Sequence, residues 1–308
     1  MKWMIVPALV ALAVPLCAHA ATCRLTQLSA VATTAVYDPF DVSFAPAAIA
    51  VNVQTTGCRS ARIQFALAPT PSTPQTGSQV NLSAPGSRLV ASIENSNGQI
   101  QTVSNPVSAF QPNPPFFALT TTGALANTAP LQLAIQPGQP VPPSVYLANL
   151  FLLARVTDGD GTVTQVSSTS LSFAAIVKPS VRLAAGVGGL DIDLGELSPG
   201  EIGGPVGFGA YANVDYTIRL ISDNGFRLEP SGHGSPAEGV PYATMISNQT
   251  APDTGNGQGG ESVRSLDFNV PGGNGMRQQT LQVKVLPYSG LPAANYSDLL
   301  TLEIRARV

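Results

Sequence analysis

Apolar residues occupy every second position in the last stretch of the chain, at Leu300, Leu302, Ile304, Ala306 and Val308, with Thr301, Glu303, Arg305 and Arg307 between them. This is the period of a strand with one buried face and one wet face. The alternation is still running at the final residue, so the free edge of this strand is expected to need a cover that no later segment of the sequence supplies. Shorter runs predict strands near Cys23–Val31, Ile49–Val53, Ile63–Leu67, Leu89–Ile93, Leu131–Ile135 and Tyr146–Val156. Further along, the same reading gives strands near Val181–Leu183, Leu190–Leu194, Val214–Leu220, Leu266–Val270, Leu281–Val285 and from Tyr296 to the end. Asn97-Gly98 sits between two of the shorter runs as a hairpin turn.

The pattern repeats. Setting "VPPSVYLANLFLLARV" (141–156) against "LPAANYSDLLTLEIRARV" (291–308) matches Pro142 with Pro292, Tyr146 with Tyr296, Leu150 with Leu300, Leu152 with Leu302 and Arg155 with Arg305, all at one offset. Two tandem copies of one sandwich would produce this, with the first over residues 21–175 and the second over 176–308. After the shared strand the first copy continues through the turn "TDGDGT" into "VTQVSSTSLSFAAIV", long enough to return as one more strand. The second copy has no such continuation. The expected fold is therefore all-β, two tandem immunoglobulin-like β-sandwiches, with the second lacking its final strand and leaving an edge formed by Leu300, Leu302, Ile304, Ala306 and Val308.

Composition adds the compartment. Lys2, an apolar run from Trp3 to Cys17 and the small-x-small ending Ala18-His19-Ala20 predict a secretory signal over residues 1–20. Its removal leaves Cys23, Cys58 and His233 as the only residues of their types, and two cysteines in an oxidising compartment are expected to pair. The formal charge is −3, with no basic cluster, which disfavours nucleic acid and anionic membranes as partners.

Candidate chemistry is sparse. One histidine and two paired cysteines assemble neither a catalytic triad nor a zinc site, so no enzyme, no metal and no cofactor is expected. Asp191 and Asp193 could be imagined as a carboxylate pair for glycoside hydrolysis, but they alternate with Leu190, Ile192 and Leu194 and read as the wet face of a strand. "DGDG" (158–161) lacks the further ligands of a calcium loop, since Thr162 and Thr169 stand there, and reads as a turn. His233, in "PSGHGSPAEG", reads as a solvated loop residue, and the glycines of 255–260 and 271–275 as connections rather than a phosphate loop. The loop "AFQPNPPFFAL" gathers Phe110, Phe116 and Phe117 around Pro112, Pro114 and Pro115. The prolines exclude a central strand, so these rings are either folded into the first core or displayed as an apolar binding surface. "VYDPFDVSF" (36–44) is a second such candidate.

The segments "RLISDNGFRLEP" (219–230), "VPYATMIS" (240–247) and "LPAANYSDLLTLEIRARV" (291–308) resemble the spore coat protein U-like domain, the pilin fold of archaic, Csu-type chaperone-usher pili. The resemblance covers the second copy well. It thins over the first, where "VYDPF", Cys23, Cys58 and "VYLANLFLLARV" remain. It implies an incomplete sandwich filled first by a strand of a periplasmic chaperone and then, after passage through an outer-membrane usher, by the N-terminal extension of the adjacent pilus subunit. Only Ala21 and Thr22 lie between the expected cleavage site and Cys23, which leaves no donor segment and implies a terminal subunit. By the resemblance this is a tip adhesin exported through the periplasm to the cell surface, attaching to an abiotic or host surface and supporting biofilm formation, its first domain binding the surface and its second plugging into the shaft. A secreted coat or matrix protein and a minor shaft subunit are the alternative readings. The second copy departs from the family in having no cysteine, and Phe226 in "DNGF" stands where a small residue is expected.

Overall fold

The computed structural model describes residues 23–307 except 42–44, 59–60, 106–117, 122–125, 185–188, 231–238, 257–261, 272–274 and 291–292. Among the described residues every regular element is a strand. Strands β1 (Arg24–Ala32), β2 (Ala35–Tyr37), β3 (Ala47–Thr56), β4 (Ala61–Pro69), β5 (Val80–Ala84), β6 (Ser87–Asn95), β7 (Ile100–Gln101), β8 (Ala118–Thr121), β9 (Ala126–Ile135), β10 (Ser144–Asp158) and β11 (Val163–Val177) join one sheet that folds over a single core. Its main path runs β1-β3-β9-β6-β5-β10-β11-β2, with β4 paired to β10. The core alternates as the sequence does: Ile49, Val51 and Val53 on β3 face Leu131 and Leu133 on β9 and are fully buried.

The return strand is there. β11 pairs with β10 from Ser144↔Val177 to Thr157↔Val163, through a turn in which the Asp158 amide donates to the Thr162 carbonyl at 2.9 Å. The Asn97-Gly98 turn lies between β6 and β7, with Gly98 at φ +74°, the left-handed conformation glycine adopts without strain.

The second unit is a two-layer sandwich. Its strands are β12 (Val181–Ala184), β13 (Ile202–Ala212), β14 (Tyr216–Ser222), β15 (Arg227–Pro230), β16 (Val240–Ile246), β17 (Gln249–Thr250), β18 (Asp253–Asn256), β19 (Ser262–Phe268), β20 (Met276–Val285), β21 (Tyr296–Ser297) and β22 (Leu300–Ala306). One layer runs β12-β13-β20-β16-β15-β21 and the other β18-β19-β14-β22, with Tyr216, Ile218 and Leu220 of β14 fully buried between them. Asn213, also buried, stitches the units together: its backbone N–H donates to Ser180, and its side-chain amide donates to the Lys178 carbonyl at 2.9 Å and to the Val141 carbonyl of the first unit at 3.2 Å.

Two expectations need correction. Residues 190–194 alternate in burial as a strand would, with Leu190, Ile192 and Leu194 packed against the core and Asp191 and Asp193 exposed, yet they form no strand, because no neighbouring backbone lies in register with them. The strand expected from Tyr296 onward is broken, since β21 pairs with β15 while β22 pairs with β14, and the change of layer falls at Asp298 and Leu299. Phe226 has a physical explanation: it sits at φ +60°, a strained conformation for a ring-bearing residue. Its ring is buried edge-on against Tyr242, with the Arg264 guanidinium 4.0 Å from its centre, and this packing holds it there.

Candidate strand-binding groove

The internal repeat supplies its own comparison. In the first unit β10 is flanked on both sides, by β11 on one edge and by β4 and β5 on the other. Leu150, Leu152, Ala154 and Val156 are consequently sealed at 0% exposure. In the second unit, among the described residues, β22 pairs only with β14, from Leu300↔Ser222 to Ala306↔Tyr216, and stands at the end of its sheet. The matching residues Leu300, Leu302, Ile304 and Ala306 are only half-buried. Val308 lies outside the described residues. Glu303 and Arg305 form a surface ion-pair cluster with Arg219 on the outer face of β22, of the kind that contributes little stability.

Across from the free edge of β22 lies a strap, residues 189–197. Between them is a cavity of about 320 Å³, lined by Leu190, Ile192 and Leu194 of the strap, Leu300 and Leu302 of β22, and the core residues beneath. The strap packs over a glycine: a Cβ on Gly203 would lie 2.4 Å from Leu194 Cδ2 and 2.9 Å from Ile192 Cγ2, so a larger residue there would make these side chains shift. Among the described residues no backbone hydrogen bond joins 190–194 to any strand. Among the described residues the strap and β22 thus share an apolar floor with no backbone hydrogen bond between them. The strap lines one cavity together with Leu300 and Leu302 of β22 and a second together with residues 293–298.

The end of the groove nearest Leu300 is polar. The Asp298 carboxylate accepts hydrogen bonds at Oδ2 from the Ser222 hydroxyl, at 2.6 Å, and from the Tyr242 hydroxyl. The same Ser222 oxygen accepts the Phe226 amide at 2.7 Å. Asp298 Oδ1 is buried and has no hydrogen-bond partner among the described residues. Sequence reasoning missed this residue. An aspartate in "YSDLL" carries no local mark of the tyrosine that reaches it from β16.

Burial raises the ionisation of three tyrosines above the ordinary value of 10.0: Tyr242, where the Asp298 charge adds to it, Tyr37 and Tyr216. Each is protonated in the folded protein at a pH where the unfolded chain already ionises. Their stabilisation is whole below pH 10 and is lost as pH climbs above it. Phenolate absorbance of these rings is expected to appear together with loss of the β-sheet circular dichroism signal in an alkaline titration. Full ionisation of all seven tyrosines with the signal intact would contradict their burial.

The other expected sites fall as follows. Cys23 and Cys58 form a disulfide, joining the start of β1 to the residues after β3. Phe110, Pro112, Pro114, Pro115, Phe116 and Phe117 lie outside the described residues, as does His233. Of the second loop candidate, Phe40 packs edge-on against Tyr211 of β13 at 5.7 Å, and Asp38 pairs with Arg182 of β12, so these residues serve the junction between units.

No family model matches the chain, and no curated protein matches it in sequence. Among solved structures it is similar to a chain of the CsuC–CsuE chaperone–tip adhesion subunit pre-assembly complex from archaic chaperone-usher Csu pili of Acinetobacter baumannii, at 16% identity over 80% of this chain and 84% of that one, with a TM-score of 0.44. It is also similar to a mutant of the CFA/I adhesin CfaE of enterotoxigenic E. coli, at 14% identity over 80% and 82% and a TM-score of 0.35. The CupB6 tip adhesin of Pseudomonas aeruginosa matches at 10% identity over 92% and 96%, with a TM-score of 0.32. All three structures contain a bacterial adhesin or adhesion subunit.

Proposed function

We propose that the chain is a non-enzymatic adhesin subunit at the end of a chaperone-usher pilus of the archaic type, its second sandwich completed by a strand from another protein. The observation that carries this reading is the contrast between β10, sealed on both edges, and its repeat β22, open on one. The occupant is an extended segment with apolar side chains at alternate positions, supplied first by a periplasmic chaperone and, after the usher, by the adjacent subunit. The resemblance of the second unit to spore coat protein U-like domains supports the same reading. β1 favours a terminal position, because it is bonded along its length to β3 and its Leu25 backbone is capped by the Gln165 side chain. The first unit then meets an abiotic or host surface and serves biofilm formation, with the rings of Phe110, Phe116 and Phe117 as contacts.

One experiment tests both halves. Expressed with its chaperone and usher, the chain is expected at the cell surface, where the cells adhere to polystyrene beads. Phe116→Ser with Phe117→Ser is expected to cut adhesion about tenfold or more while leaving surface display unchanged. Failure of the wild-type chain to reach the surface would overturn the pilus reading. Unfolding of the double variant, at roughly 3 kcal/mol or more per ring, would assign the rings to the core instead.

A further inference from the structure

We propose that the strand completing the second sandwich carries a basic side chain, lysine or arginine, opposite Asp298. The inference rests on the open-edge reading above and names one chemical feature of the occupant. In the first unit Ala148 of β10 faces Phe173 of β11, the strand that seals that edge. The alignment of Tyr146 with Tyr296 sets Asp298 at the sequence position of Ala148, just before β22 begins at Leu300, so a carboxylate stands at the end of the groove where the first copy has a methyl group. A phenyl ring laid against it would bury charge without compensation.

What surrounds Asp298 favours a cation. Its Oδ2 is already used by Ser222 and Tyr242, whereas Oδ1 is buried with no hydrogen-bond partner among the described residues. Asp298 lines both the apolar cavity and a wider one of about 900 Å³ beyond it, whose lining includes Asp191, Asp193 and Glu196 but no lysine or arginine. None of these four carboxylates forms an ion pair among the described residues; Asp193 Oδ1 accepts only the Gly195 amide, at 2.9 Å. A neutral donor would satisfy Oδ1 and leave the acidic mouth unbalanced. An ammonium or guanidinium group answers both. It would also fix register, since sliding the strand by one residue turns the cation to the other face.

The probe is the strand that performs this task in the first unit. Peptides of residues 163–177, blocked at both ends, are prepared with Phe173 retained, with Phe173→Lys or with Phe173→Glu, and titrated against the full chain. The lysine peptide is expected to bind about tenfold or more tighter than the glutamate peptide. That advantage should fall below about threefold with the Asp298→Asn chain. Should that variant fold poorly, the Asp193→Asn, Glu196→Gln chain, which keeps the bonds from Ser222 and Tyr242, should show at least half the loss on a logarithmic scale. Equal binding of lysine and glutamate peptides, or an advantage that survives in both variant chains, overturns the proposal and leaves the open edge standing. If no peptide binds, the open-edge reading falls, and this inference with it.

Discussion

Residues 176–308 produced alone are expected to aggregate or unfold at low temperature, and to gain about 10 °C or more in melting temperature when a complementing strand is supplied. The reason is the difference between the two halves of the repeat. Leu150, Leu152, Ala154 and Val156 of β10, paired on both edges, are fully buried, whereas Leu300, Leu302, Ile304 and Ala306 are half-buried, with one backbone edge of β22 unpaired among the described residues. Each leucine whose burial is completed adds up to about 1.5–3 kcal/mol, and each new ladder hydrogen bond about 1 kcal/mol. Ordering the incoming segment opposes this by roughly 1–2 kcal/mol per residue, so a segment with few apolar side chains should rescue little. A peptide from the N-terminus of a companion subunit, or the chaperone itself, supplies the strand; thermal unfolding followed by circular dichroism reads the result. A monomeric second unit that unfolds cooperatively without a partner would remove the need for one.

Replacing Cys23 and Cys58 by serine is expected to cost the first unit about 4 kcal/mol, from the 35-residue separation the bridge closes. Both sulfurs are buried, and the bridge clamps the end of the β1–β3 ladder where Arg24 pairs with Thr56. Without it that end frays, and the frayed residues include Leu25, part of the core. Denaturant unfolding should show the first transition shifted and the second unmoved, because no cysteine lies in the second unit. Mass spectrometry of the unreduced protein should find the two cysteine peptides linked. Free thiols, or a loss below about 1 kcal/mol, would mean that the ladder holds itself.

The parts of this fold legible in the sequence are those where burial and hydrogen bonding share one period. β3 alternates cleanly and pairs as it alternates, and β10 does so except at Leu153, which is buried on the other face against Ala66 and Ala68. β13 went unread because "IGGPVGFGAYA" offers glycines and a proline where the pattern needs side chains; its register shift between Gly203 and Val206 absorbs the irregularity. Residues 190–194 misled in the opposite sense. Alternation reports which side chains face a core, and "LDIDL" faces one, but it does not report whether a neighbouring backbone exists to bond with. The expectation of an open edge came from the alternation over 300–308 and from the comparison of the two copies; among the described residues β22 stands at the end of its sheet. Asp298 could not be found that way, since its partners Ser222 and Tyr242 lie 76 and 56 residues away.

Backbone hydrogen exchange at residues 300–306 of the full chain, with and without a peptide from the N-terminus of a companion subunit, tests the central claim most directly. Alternate amides of β22 point toward β14 and alternate ones toward the open edge. The account predicts that the edge-facing set exchanges fast in the free chain and gains protection of about a hundredfold or more when the peptide is bound, together with amides of the 190–194 strap. Uniform protection of β22 in the free chain, unchanged by the peptide, would show that the edge is already closed and would contradict it.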